Sequence, residues 1–302
     1  MPRVLASFLS RDQEFQVLQA EDARRAASRH GLELEVLFAD NNAIEQIQQL
    51  FRFIYLPQAE RPAAIVVETV TGEGLERVAR NAAQAGIGWV LLNRRVSYIE
   101  ELRGRFPGLP ISSVGTDQIE VGRLQGRQFR RLLPTGGSVL YIQGPPDTSA
   151  AQERLSGMQE SLQGSALEVR VASGQWTEAS GEKVVQSFLR LKTNERFRAQ
   201  VVGCQNDAMA VGARKAAGAL SDDERGAIRP GAVYTGCDGL LEGGQRLVRE
   251  GVLAATVVTP SNAGPAIDLV AEALRTGQPA PAQITLKPTS CPEVASIQPL
   301  PV

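Results

Sequence analysis

Short runs of β-branched and aliphatic residues alternate along this chain with stretches of about ten to fifteen residues whose apolar positions recur at helical spacing. The pattern predicts strands over 3–9, 32–38, 64–67, 88–92 and 111–114, and helices over 15–29, 43–56 and 75–85 between them. At Gly115-Thr116-Asp117 it restarts, with helices over 118–132, 150–162 and 181–191 and strands over 138–142, 168–172 and 201–204. Next come a helix through Met209, Val211 and Ala213, a strand over 232–236, a helix over 240–249 and a strand over 254–258. A helix over 262–275 and a strand over 284–287 complete the series, and the Pro-rich tail to Val302 reads as irregular and surface-bound. Repeated βαβ units with right-handed crossovers imply parallel sheets covered by helices on both faces.

The expected class is therefore α/β, with two Rossmann-like lobes. The chain has natural crossing points near Asp117, Thr259 and Pro288, which make a three-segment hinge. One lobe comprises 1–116 with 260–288, and the other 117–259 with 289–302. No short-period repeat or low-complexity stretch interrupts this organisation.

The stretch 199–212, AQVVGCQNDAMAVG, shows the recurring event most clearly: an apolar strand stops at Gln205-Asn206-Asp207 and a helix starts at once. Asp207 is the expected N-cap, which leaves Asn206 at the carboxyl end of a strand. In open parallel sheets, ligands bind outside those ends.

Composition narrows the chemistry. The chain has 302 residues and 43% hydrophobic content, and its 32 basic residues against 33 acidic ones supply no basic field for nucleic acid or an anionic membrane. No apolar run approaches the ~20 residues that span a bilayer, and 3–9 is too short for a signal peptide. That leaves a cytosolic protein or one whose leader is absent from this chain. Cys204, Cys237 and Cys291 match no metal motif. The first two sit near strand ends and could be neighbours, although small buried hydrophobes is the preferred reading. His30 is the single histidine, and it stands at the end of the first helix before Gly31, which disfavours histidine triads and histidine-rich metal sites. G-x-G-x-x-G, P-loop and G-x-S-x-G motifs are missing, so the reading is a binding protein without catalytic residues, metal or cofactor.

The residues just past the strands are Asp12, Gln13, Phe15, Glu68, Asn93, Arg94, Arg154, Trp176, Asn206, Asp238 and Thr259. Each has a plainer reading. Asp238 could cap a helix, Arg154 could be solvated, Trp176 could be core as Trp89 is, and Asn206 could be turn chemistry. Together they supply hydrogen-bonding groups and aromatic plates, which suit a sugar's hydroxyls and its apolar C–H face. Glu68 and Asp238 balance Arg94 and Arg154, favouring an uncharged ligand.

The segments LLNRR (91–95), TSAAQERLSGM (148–158), CQNDAMAVGA (204–213), TGCDGL (235–240) and LAATVVTP (253–260) resemble the ribose-binding-protein branch of type I periplasmic binding proteins. That branch also includes the effector domains of lac-repressor-type regulators. The resemblance implies closure of two lobes on a monosaccharide or polyol, with Arg94, Arg154, Asn206 and Asp238 on ligand hydroxyls or the ring oxygen and Trp176 as a stacking aromatic. Phe15 matches one of a usual Phe pair, but Gln16 stands where the second is usual. Asn93, Glu68 and Thr259 replace a usual Asp, Asn and Gln, so the ligand need not be ribose. The location implied is periplasmic or extracytoplasmic, with a membrane permease or receptor as partner, and a monomer is the default expectation for a binding protein that must hinge freely. The alternative is a sugar-sensing module serving a histidine kinase or a transcriptional system.

Overall fold

The strands are apolar on both faces because helices cover both. In β1 (Arg3–Phe8), Val4, Ala6 and Phe8 face one core cluster while Leu5 faces another. The computed structural model describes residues 1–72, 74–190, 197–219 and 227–301; Leu191 of the expected 181–191 helix and the terminal Val302 lie outside them. After β1 come α1 (Glu14–Arg29), β2 (Glu33–Phe38), α2 (Ala43–Ile54), β3 (Ala64–Val67), α3 (Glu76–Gln84), β4 (Gly88–Leu92), α4 (Tyr98–Arg105) and β5 (Ile111–Thr116). The series repeats with α5 (Gln118–Leu132), β6 (Gly137–Gln143), α6 (Ser149–Leu162), β7 (Leu167–Ser173), α7 (Glu178–Leu189), β8 (Ala199–Cys204), α8 (Asp207–Gly218), β9 (Ile228–Asp238), α9 (Gly244–Arg249) and β10 (Ala255–Val258). Last come α10 (Ala263–Thr276), β11 (Gln283–Leu286) and β12 (Thr289–Cys291).

Contacts divide the chain into one unit of Met1–Thr116 with Ser261–Leu286 and another of Asp117–Pro260 with Lys287–Val302. The first holds the sheet β11-β5-β4-β3-β1-β2 and the second β12-β10-β9-β8-β6-β7. Both units therefore share the doubly wound order in which the first strand lies between the second and third. The strand order reverses between β1 and β3, and between β6 and β8, and such switch points open a crevice at the carboxyl ends.

Three features depart from the pattern reading. Helix α4 was not expected from sequence; Tyr98, Ile99 and Leu102 bury one short face of it against the sheet. The 240–249 helix begins only at Gly244, with Gly243 as its N-cap, so Asp238 does not cap it. The tail is not wholly irregular and surface-bound: β12 pairs antiparallel with β10, Thr256 opposite Cys291, and Ile297 is buried in the core with Leu132 and Leu133.

Helices α5 and α6 touch through reciprocal glycines. A Cβ on Gly122 would lie 2.0 Å from the Arg154 carbonyl oxygen, and one on Gly157 would lie 2.0 Å from that of Ile119. This approach fixes the height of Arg154 above the sheet.

The cysteines are all free. Gly203 of β8 pairs with Thr235 of β9, so Cys204 and Cys237 are one step out of phase and leave opposite sheet faces. Cys204 packs with Ile142 and Val202, whereas Cys237 packs with Val121 and Val257. Burial pushes both thiols up, Cys237 to about 12. Iodoacetamide at pH 8 is therefore expected to spare both in the native protein and to label all three cysteines after unfolding, read by mass spectrometry. Because the unfolded chain ionises first, the contribution of each buried thiol to stability is constant below about pH 8.5 and falls above it by about 1.4 kcal/mol per pH unit, until the folded thiol also ionises. Denaturant titrations from pH 8 to 11 measure that slope.

Candidate functional site

In the first unit, β3 delivers Glu68 and β4 delivers Asn93 and Arg94 to neighbouring strand ends. Glu68 Oε1 lies 3.2 Å from an Arg94 guanidinium nitrogen, and the two side chains are 3% and 5% exposed. Glu68 Oε2 accepts from Gln16 Nε2 and Gln19 Nε2, each at 3.1 Å. Asn93 is buried in the left-handed region at φ 54°, where Asn is tolerated, and its Oδ1 accepts from the Thr116 amide at 3.4 Å. Phe15 is buried at the start of α1. Gln13 precedes the helix and donates to Asn41 Oδ1 at 3.3 Å, whereas Asp12 is exposed, with its amide on Ser10 Oγ. Asp12 and Gln13 therefore belong to the paired loops after β1 and β2, one step along the edge from the Glu68–Arg94 pair.

In the second unit, α6 carries Arg154, only 5% exposed, so the solvated reading of this residue is set aside. Its Nε donates to Gln118 Oε1 at 2.7 Å, and a terminal nitrogen donates to the Gln205 carbonyl. Its guanidinium carbon lies 5.6 Å from the centroid of Trp176, within cation–π range. Trp176 is half-buried at φ 62°, and its ring lies so close to Gly144 that a Cβ there would be 2.0 Å from Trp176 Cζ2. Asn206 Nδ2 donates to the Trp176 carbonyl at 2.9 Å while its Oδ1 accepts from the Met209 amide at 2.9 Å. Asp238 ends β9 at φ 100°, and its carbonyl accepts from the Thr259 amide at 3.0 Å and from Thr259 Oγ1 at 3.4 Å. Arg154, Trp176 and Asn206 thus form one cluster, and Asp238 with Thr259 a second along the same strand ends.

The N-cap of α8 is Asn206, not Asp207. Asn206 has extended backbone, which lets its side chain reach forward, whereas Asp207 is already helical. The buried Asp207 carboxylate instead accepts from the Gly239 amide at 2.8 Å and from Thr256 Oγ1 at 2.6 Å, tying β8, β9 and β10 together beneath Asp238.

Buried glutamines were missed by the sequence reading. Gln46 donates to the Glu68 carbonyl at 2.8 Å, and Gln205 accepts from the Gly144 amide at 2.9 Å and donates to the Ala151 carbonyl at 3.0 Å. Gln125 accepts from Tyr141 Oη at 2.6 Å and donates to the Cys204 carbonyl at 2.7 Å. Their signal was available: Gln16, Gln19 and Gln125 occupy helix positions on the faces that bury alanine and leucine. Among the described residues no cluster of three His, Cys, Asp or Glu could hold a metal, and no helix is long and apolar enough to cross a membrane.

A doubly wound pair of units with polar and aromatic residues at the strand ends is the architecture of a two-lobed solute receptor. Residues 6–278 match the periplasmic binding protein domain model, and the chain belongs to that family, of the type I, ribose-binding branch. It is 26% identical to the galactofuranose-binding protein YtfQ of Escherichia coli (strain K12) over 87% of this chain and 79% of the relative. It is 24% identical to the ribose import binding protein RbsB of the same strain over 80% of this chain and 74% of the relative. A crystal structure of a galactofuranose binding protein superposes with TM-score 0.81 at 24% identity, covering 96% of this chain and 94% of that one.

Proposed function

We propose that this chain captures a small neutral sugar or polyol outside the cytoplasm and delivers it to a membrane permease of an ABC-type uptake system. It acts as a monomeric binding protein and not as an enzyme. The observation that carries the ligand class is the Arg154–Trp176–Asn206 cluster, in which an aromatic ring, a guanidinium and a carboxamide share one strand-end corner. An aromatic face suits the C–H side of a sugar ring, and the polar groups suit its hydroxyls. Relatives that bind galactofuranose and ribose support the same class. In this reading Asp12, Gln13, Phe15, Asn93, Arg94, Asp238 and Thr259 supply further contacts.

The test is titration calorimetry and thermal shift against D-ribose, D-galactose, L-arabinose and myo-inositol. A ligand that binds only the native state raises the unfolding temperature by mass action. Asp238→Ala is expected to weaken the bound sugar at least about tenfold, because a hydrogen bond to a charged group contributes roughly 1.5–3 kcal/mol. Unchanged affinity would remove Asp238 from the site.

A further inference from the structure

Glu68 stands at a strand end among the candidate ligand contacts, yet its carboxylate is already engaged by three donors. Arg94 lies 3.2 Å from Oε1, and Gln16 and Gln19 converge on Oε2 at 3.1 Å each. A carboxylate offers about four lone-pair positions, so little acceptor capacity is left for a ligand hydroxyl. The surrounding bonds hold it there. Gln16 Oε1 accepts from the Leu9 amide at 3.2 Å, Gln19 Oε1 accepts from the amides of Asn262 and Ala263 at 2.8 and 2.9 Å, and Gln46 holds the Glu68 carbonyl at 2.8 Å. Each glutamine spends its donor end on Glu68 and its acceptor end on backbone, so none can turn without leaving a buried amide unpaired.

We infer that Glu68 is a positioning and specificity-determining residue: it holds the Arg94 guanidinium and cancels its charge, so that this edge accepts neutral hydroxyls and rejects carboxylate-bearing sugars. The inference rests on the neutral-sugar reading above and deepens it, since it names the residue that enforces neutrality. An arginine beside a buried carboxylate presents hydrogen-bond donors without a net positive field. The same arginine without that partner is a carboxylate receptor, because its planar fork matches a carboxylate's two oxygens. Glu68→Gln is nearly isosteric and can still accept from Gln16 and Gln19 through its carbonyl, while its NH2 faces the Arg94 donors. The substitution thus removes the countercharge and, because two N–H donors then face each other, the bond to Arg94, while the side-chain volume is kept.

The experiment compares wild type, E68Q, E68D and E68Q/R94Q by titration calorimetry against D-galactose and D-ribose as neutral probes and D-galacturonate and D-gluconate as acids. Circular dichroism first establishes that each variant is folded. The expected result is that E68Q binds an acid probe at least about tenfold more tightly than wild type, and that E68Q/R94Q loses this gain. E68D, which keeps the charge, is expected to go on excluding the acids. A merely structural role for Glu68 would weaken the neutral probes in E68Q and bring no gain for the acids. That result, acid binding by wild type or E68D, or an acid gain that survives in E68Q/R94Q, overturns the inference. Failure of wild type to bind any neutral probe counts against the neutral-sugar reading, whereas the inference is read separately from the acid affinity of E68Q relative to wild type.

Discussion

Replacing Arg154 by alanine is expected to lower sugar affinity by two orders of magnitude or more. The guanidinium is committed on one side to Gln118 and the Gln205 carbonyl, and it overhangs the Trp176 ring. Its remaining N–H groups are the donors we assign to ligand oxygens. Loss of two charge-assisted bonds at roughly 1.5–3 kcal/mol each corresponds to at least about a hundredfold in affinity. A second effect adds to the first, because the carbonyl of Gln205 loses its donor immediately before Asn206, the residue that holds the Trp176 backbone. Arg154→Lys is expected to recover only part of the affinity, since an ammonium cannot reproduce the fork. The checks are calorimetry and tryptophan fluorescence. Trp89 is fully buried in the other unit, so a ligand-dependent change in emission reports Trp176, and its disappearance in Arg154→Ala would tie the two residues to one binding event.

Asp207→Ala is expected to produce the largest loss of stability among the strand-end residues. It removes two buried bonds, from the Gly239 amide at 2.8 Å and Thr256 Oγ1 at 2.6 Å, and leaves both donors stranded. At roughly 1.5–3 kcal/mol for each bond to a charged acceptor, the cost is on the order of 4 kcal/mol. For a unit of this size that lowers the unfolding temperature on the order of 10 °C. The carboxylate at the first turn of α8 also loses a favourable interaction with the helix dipole. Asp207→Asn keeps the shape and one acceptor, and is expected to cost about half as much. Thermal unfolding followed by circular dichroism measures both. An Asp207→Ala protein as stable as wild type would mean that Gly239 and Thr256 find other partners. Because Gly239 follows Asp238 directly, the folded variant is also expected to bind sugar less tightly.

Most of the alternation of strand and helix was legible in the chain itself. A strand covered on both faces must be apolar at consecutive positions, as 64–67 and 88–92 are, and the covering helices must repeat small apolar residues, as Ala20, Ala23, Ala26 and Ala27 do. Strand ends carrying Asn, Asp, Arg and Trp were legible as such, and the parallel order within each unit places its strand ends on one edge, where we propose the ligand contacts lie. The resemblance carried by CQNDAMAVGA and TSAAQERLSGM led to the family, which residues 6–278 bear out.

Other features depended on groups distant in sequence. Helix α4 was hidden because its apolar face is short and flanked by charges, and tertiary contact supplies its stability. Strand β12 was hidden by the prolines around it, yet an edge strand needs only a few ladder bonds, and β10 provides them. Whether Asn206 or Asp207 caps α8 turned on one pair of backbone angles, with the other residue released to clamp β9 and β10.

Local periodicity determined which segments are strands and helices and which polar residues stand at their ends, because burial and backbone hydrogen bonding act over a few residues. Only the tertiary structure decided what those polar groups bind. Glu68 meets Arg94 because β3 and β4 are neighbours in the sheet, and Cys204 is kept from Cys237 by a one-residue difference in phase between β8 and β9. Partnership between side chains is set by strand order and register, which no local pattern encodes.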